Sequence, residues 1–179
     1  GDIMDKSILA GNKDSLERVL VKNPMIKSAQ VYYSLDGYIH VNIQQREPVL
    51  RVLTGEGYYV DRDGRGMPLS SKFTSRVVVA TGDINKKFAC EKLGPFAMKL
   101  KNEPFWDAYI EQLVVRSNED VVMIPKVGDF RIVLGKVDDC EARLEKLMLF
   151  LKDGITKKGW NRYKEINLKF DNQVVCVRK

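Results

Sequence analysis

Histidine is nearly absent and cysteine is scarce: His40 is the single histidine in 179 residues, and Cys90, Cys140 and Cys176 are the only cysteines. The three thiols are far apart and odd in number, and no C-x-x-C spacing occurs. A structural zinc site and a thioredoxin-type motif therefore lack their parts. Isolated cysteines of this kind read as small apolar packing residues, and they leave the compartment open. There is no run of eighteen apolar residues, so no segment of this sequence reads as a bilayer-spanning helix. The chain opens on Gly1 in mid-pattern, as a trimmed start would. G-x-S-x-G, H-E-x-x-H and G-x-x-x-x-G-K-[ST] are all missing, which leaves nucleophile-elbow, zincin and P-loop chemistry without their side chains. Cysteine–histidine catalysis would need His40 beside a thiol, and no local spacing suggests it. These gaps argue against an enzyme and imply no cofactor or metal.

Two pairs of acids imitate sites without completing them. In Asp61-Arg62-Asp63-Gly64 the glycine falls fourth rather than sixth, and no glutamate follows at the twelfth position of a calcium loop, so the segment reads as a β-turn. Asp138 and Asp139 are adjacent at a helix start, where capping explains them better than paired-carboxylate chemistry.

What the sequence does have is a core. Hydrophobic residues make up 44% and charged residues 30%, the balance of a globular chain that can bury enough apolar surface without staples. The formal net charge is +6, and it is unevenly spread. From Gly154 onward Lys157, Lys158, Arg162, Lys164, Lys169, Arg178 and Lys179 face only Glu165 and Asp171; seven minus two leaves +5. Such an end suits an acidic partner, nucleic acid or an anionic membrane surface. With no block of five or six like charges, it equally suits a solvated face.

Periodicity divides the chain. Asp14 with Glu17 gives a capping signal, and Leu16, Val19 and Leu20 form an amphipathic stripe that Asn23-Pro24 stops. Ala29, Val31 and Tyr33 alternate, Asp36-Gly37 turns, and Ile39, Val41 and Ile43 alternate on the return, with His40 pointing the other way as a solvated strand residue. A helix laid on that hairpin would bury both apolar stripes. Beyond Pro48, strands are expected at Val49–Leu53, Tyr58–Val60, Val77–Ala80, Leu113–Val115, Val121–Ile124 and Phe130–Leu134. Ile84–Tyr109 is helical but broken at Gly94-Pro95 and Pro104. The clearest helix carries Cys140, Leu144, Leu147, Met148 and Leu151, capped by Asp138 or Asp139 and ended by Gly154. A last hairpin runs through Ile166, Leu168 and Phe170, turns at Asp171-Asn172, and returns as Val174–Val177. Trp106 reads as core, whereas Trp160 sits in a predicted loop as a candidate interface residue. The final strand, followed by Arg178 and Lys179, would lie at a sheet edge open to strand addition or guarded by its cations.

Two stretches resemble the FtsQ/DivIB family of bacterial cell-division proteins. Leu16-Glu17-Arg18-Val19-Leu20, Asn23-Pro24-Met25-Ile26, Ala29-Gln30-Val31 and Gln45-Arg46-Glu47-Pro48-Val49 are similar to its POTRA module. Tyr59-Val60-Asp61-Arg62-Asp63-Gly64, Phe130 to Gly135 with Arg143-Leu144, and Ile166 to Asp171 are similar to its β-domain, in the same order. The sequence departs from the pattern in having no first POTRA strand, in the Ile84–Tyr109 stretch, in Lys169 and Phe170 where the family has Arg and Tyr, and in Gln173 at a usual turn glycine. The resemblance implies an α+β fold: a small helix-on-sheet POTRA-like module with an incomplete first strand over residues 1–50, then a larger mixed or antiparallel β-domain with a long packing helix over 51–179. It implies a non-catalytic scaffold held by a single inner-membrane helix, with this fragment on the extracytoplasmic side at the septum. FtsB and FtsL are the implied partners. They would dock through Lys169, Phe170, Val174, Val175, Cys176 and Val177, with Arg143 on the helix behind. A POTRA module of an outer-membrane assembly or secretion system is the alternative, and a basic domain that binds nucleic acid or cell-wall polymer is a third reading.

Overall fold

The computed structural model describes residues 13–70, 74–155, 162–171 and 173–179. Two compact units, Gly1–Glu47 and Pro48–Lys179, divide the chain. Helices combine with one two-stranded and one nine-stranded sheet, an α+β fold.

In the first unit a helix, α1 (13–21), precedes an antiparallel hairpin of β1 (Ile26–Tyr33) and β2 (Ile39–Gln45). Asp14 lies inside the helical residues rather than capping them, and Val19 is exposed. Glu17 is spent on the strand instead: its carboxylate accepts the Val31 N–H at 2.7 Å. That N–H faces away from β2, so β1 lies between α1 and β2. The expectation that one helix buries both hairpin stripes therefore fails. Ile26, Ala29 and Val31 are buried, but all seven residues of β2 are exposed. His40 stacks on Tyr32 with ring centroids 4.9 Å apart.

The second unit is built on a mixed sheet. Its strands are β3 (Pro48–Val52), β4 (Tyr58–Asp61), β5 (Gly66–Pro68), β6 (Val78–Gly82), β7 (Ile110–Arg116), β8 (Asp120–Pro125), β9 (Arg131–Gly135), β10 (Tyr163–Asn167) and β11 (Val175–Arg178). Their spatial order is β11-β10-β9-β8-β7-β6-β3-β4-β5. β3 with β6, β6 with β7, and β9 with β10 are parallel neighbours. Parallel pairs need long crossovers, and two of the three use helices. Between β6 and β7 run α2 (Lys86–Phe88), a π-helical stretch (Ala89–Leu93), α3 (Gly94–Asn102) and α4 (Pro104–Tyr109). Between β9 and β10 lies α5 (Glu141–Leu149), which continues as a π-helical stretch (Phe150–Ile155).

One row of directly opposed residues crosses almost the whole sheet: Tyr58, Val52, Ala80, Leu113, Met123, Ile132, Ile166 and Cys176. It packs in one core with Phe88, Leu93, Phe96 and Leu100 from the first helical segment and Leu144, Leu147 and Leu151 from the second. Trp106 joins that core, as its helical neighbours suggest.

Three local expectations are corrected. The helix is not broken at Gly94-Pro95, because Leu93 and Gly94 keep helical dihedrals and the π-helical stretch ends where Pro95 withholds its N–H. Gly94 is there for closeness, since a Cβ would stand 2.9 Å from Val60 Cγ1. The only break is at Glu103, extended before Pro104. Asp138 and Asp139 do not cap α5: its N-cap is Cys140, without a side-chain bond, and Asp138 is drawn instead to Lys92 at 2.7 Å. Gly154 does not end the helix at once, as it sits within the π-helical continuation. The Asp61 turn is as expected: Asp61 Oδ1 accepts the N–H groups of Asp63 and Arg65 at 2.9 and 2.7 Å. Trp160 and Asn172 lie outside the described residues.

Since Leu147 is fully buried and Leu149 points to solvent, Leu147→Ala should cost about 2–5 kcal/mol of unfolding free energy. Leu149→Ala should stay within about 0.5 kcal/mol in the same denaturant titration. Equal losses would contradict the packing face assigned to α5.

Candidate functional site

β11 pairs antiparallel with β10 and, among the described residues, has no other sheet neighbour. Its alternation is set by the core row. Cys176 ends that row and is half-buried, with Val174 packed beside it against the core. Val175 and Val177 consequently point to the other face and are 37% and 48% exposed. Burial pushes the Cys176 thiol up from its ordinary pKa, so it remains a neutral packing group. The strand is tied down at its far end. Lys179 N–H bonds to the Arg162 carbonyl at 3.1 Å, and its ammonium meets Asp129, in the turn between β8 and β9, at 2.8 Å. That hydrogen bond holds the Asp129 carboxyl below the usual carboxylate range.

Lys169 and Phe170 leave β10 on the approach to this strand, and both are exposed. They are not strand residues, because β10 ends at Asn167. Lys146 on α5 explains the bend: its ammonium bonds the carbonyls of Leu168 at 3.3 Å and Phe170 at 2.6 Å. Lys146 was not identifiable from sequence, where it reads as one more solvated lysine of an amphipathic helix.

Arg143 and Lys169 are brought together. Both line a shallow hollow of about 510 Å³ with Asp120, Gly135 and Lys136. Gly135, at φ +89°, permits this approach, for a Cβ there would lie 3.0 Å from Lys169 Cγ and 3.1 Å from Arg143 Nη1. The two cations are not equally free. Arg143 donates to the carbonyls of Leu134 at 2.8 Å and Asp138 at 2.6 Å, clamping the exit of β9 to the approach to α5. Lys169 makes one direct ion pair at the surface, its ammonium donating to Asp120 Oδ1 at 3.3 Å. A second cavity of about 440 Å³ has Trp106 in its wall. Two of its lysines are held by backbone: Lys101 by the Pro48 carbonyl and Lys126 by the Asp107 carbonyl.

Among the described residues the second unit thus combines an edge strand that has one sheet neighbour with a hollow lined by Lys136, Arg143 and Lys169. The family model described as FtsQ/DivIB, C-terminal related, matches residues 47–177, and the chain belongs to that family. It is a family of membrane-anchored, non-enzymatic cell-division scaffolds. None of the curated proteins matches the chain. Among the described residues no helix is long and apolar enough to cross a membrane.

The Arg143 clamp and the Lys169 ion pair should separate on mutation. Arg143→Ala should lower stability by about 1.5 kcal/mol or more, because it strips charged donors from two backbone carbonyls. Lys169→Ala should cost less than about 1 kcal/mol. Thermal denaturation of both variants checks the order.

Proposed function

We propose that this chain is the extracytoplasmic part of a single-pass inner-membrane division scaffold, and that it recruits FtsB/FtsL-type partners at the septum by strand addition to β11. The observation that carries the reading is that β11, among the described residues, has β10 as its one sheet neighbour. A strand with one neighbour offers backbone N–H and C=O groups to an incoming chain, and its outward side chains supply selectivity. Here those side chains are Val175 and Val177, with Lys169, Arg178 and Lys179 close along the chain. The partner segment would therefore be extended, apolar at alternate positions and acidic at its flanks. Val174 and Cys176 act from below, by holding the strand on the core. Phe170 offers an exposed ring at the entrance to the edge. Arg143 acts as a positioning residue, since its guanidinium is already engaged.

Val175→Pro should weaken binding of the partner segment at least about tenfold, the equivalent of 1.4 kcal/mol. A thermal melt reports whether β11 itself survives the proline. Val177→Glu is the second arm, because an exposed outward position can accept charge without disturbing the core. It should repel an acidic segment while leaving the melt unchanged. Unaltered affinity in both variants, read by calorimetric titration, would overturn the proposal.

A further inference from the structure

Lysines of the second unit repeatedly meet a carboxylate. Lys92 pairs with Asp138, Lys136 with Glu119, Lys169 with Asp120 and Lys179 with Asp129. The cavity walled by Trp106 differs. Every residue that lines it belongs to the second unit, and its two lysines rest on neutral carbonyls, Lys101 on that of Pro48 and Lys126 on that of Asp107. Each ammonium is fixed in place, keeps its full charge and has further N–H donors to offer. Arg76, Asp107 and Glu111 stand at the same mouth. All three are exposed, and among the described residues none of their side chains has an ion pair or a hydrogen bond.

The sheet register sorts these charges. Parallel pairing sets Val78 opposite Leu50 and Val79 opposite Gln112. Arg76 is two residues ahead of Val78, as Pro48 is two ahead of Leu50. Arg76 therefore lies on the side of the mouth where Lys101 rests on the Pro48 carbonyl. Glu111 precedes Gln112 on the next strand, β7, and Asp107 comes four residues earlier on α4. The mouth is thus polarised, cationic toward β3 and β6 and anionic toward β7, with Lys126 flanking the anionic side from the end of β8. Behind it the walls are apolar: Val49, Ala97, Leu100, Trp106 and Ile110 are all buried. The cavity of about 440 Å³ falls at the small end of the range for ligand pockets, about 300–1,000 Å³.

We propose that this cavity binds a free α-amino acid with an apolar side chain. The side chain enters between Trp106, Leu100 and Val49. The carboxylate meets Arg76, whose planar fork suits it, with the Lys101 ammonium beside it. The ligand's ammonium meets Glu111 and Asp107. Such a compound carries both charges near neutral pH, on groups that share one carbon. Neighbouring strands lie about 4.8 Å apart, so poles set on β6 and β7 suit charges that close together better than the distant ends of a peptide. A simple apolar acid would satisfy Arg76 but bring an anion up to Glu111 and Asp107, and a simple amine would do the reverse. This inference does not rest on the role given to β11, and either can fail alone.

Calorimetric titration of the whole chain with L-phenylalanine and with L-leucine should show saturable binding. N-acetyl-L-phenylalanine lacks the ammonium and L-phenylalaninamide lacks the carboxylate, and each should bind at least about tenfold more weakly. Arg76→Gln should weaken the amino acid by a similar factor and leave the amide unaffected. Asp107→Asn combined with Glu111→Gln should weaken the amino acid equally and leave the N-acetyl compound unaffected. All three positions are exposed, so thermal melts should not change, which separates loss of the site from loss of the fold. Amide NMR shifts during the titration should centre on Ala97, Ile110 and Glu111. Failure of both amino acids to bind would overturn the proposal. So would blocked derivatives that bind as well as the parent, the mark of an apolar slot without polar selection, or shifts that fall outside this cavity.

Discussion

A single row of opposed side chains, from Tyr58 on β4 to Cys176 on β11, governs the second unit. Its middle members Ala80, Leu113, Met123, Ile132 and Ile166 have no exposed surface. Apolar burial of this extent is the dominant favourable term in folding, and because the side-chain period of a strand is two, it fixes the register of every strand it crosses. A one-residue slip anywhere would turn a core residue to the opposite face. The candidate edge inherits its orientation from this constraint: Cys176 must point inward, so Val175 and Val177 point out. The Lys146 and Arg143 bonds refine the approach to the edge, but they act on a strand whose face is already chosen.

Much of this was legible from period and punctuation alone. The strands around Leu113, Val121 and Ile132 stand out as short apolar runs, the i, i+4, i+7 stripe of Cys140, Leu144 and Leu147 marks α5, and Gly37 and Gly64 mark turns. Other features were illegible for physical reasons. Pro95 looked like a helix breaker because local sequence does not show a π-helical stretch placed just ahead of it. Asp138 looked like a cap because its real partner, Lys92, is remote in sequence. β5, only three residues around Met67, is too short to show a period. The α1 stripe pointed correctly to Leu16 and Leu20 but not to Val19, since the helix meets β1 through Glu17. At the candidate edge, the alternation of Val174 to Val177 could be read directly. The pairing of Lys169 with Arg143 around Gly135 could not, because it depends on a parallel crossover.

The edges of the two units are handled in opposite ways. Proline, brevity and cations blunt both ends of the large sheet, the usual means of discouraging self-association at an edge. The hairpin has one edge capped by a glutamate from its own helix and the other made of neutral residues.

The parallel pairs of β3 with β6, β6 with β7, and β9 with β10 also bear on how fast the molecule assembles. Each joins strands separated by an intervening hairpin or helical stretch, so chain entropy is lost before the pairing energy returns it. Such a topology reaches its native state more slowly than a helical bundle of the same length. During that interval its strand margins remain open to the wrong neighbours, which places a premium on chaperoning.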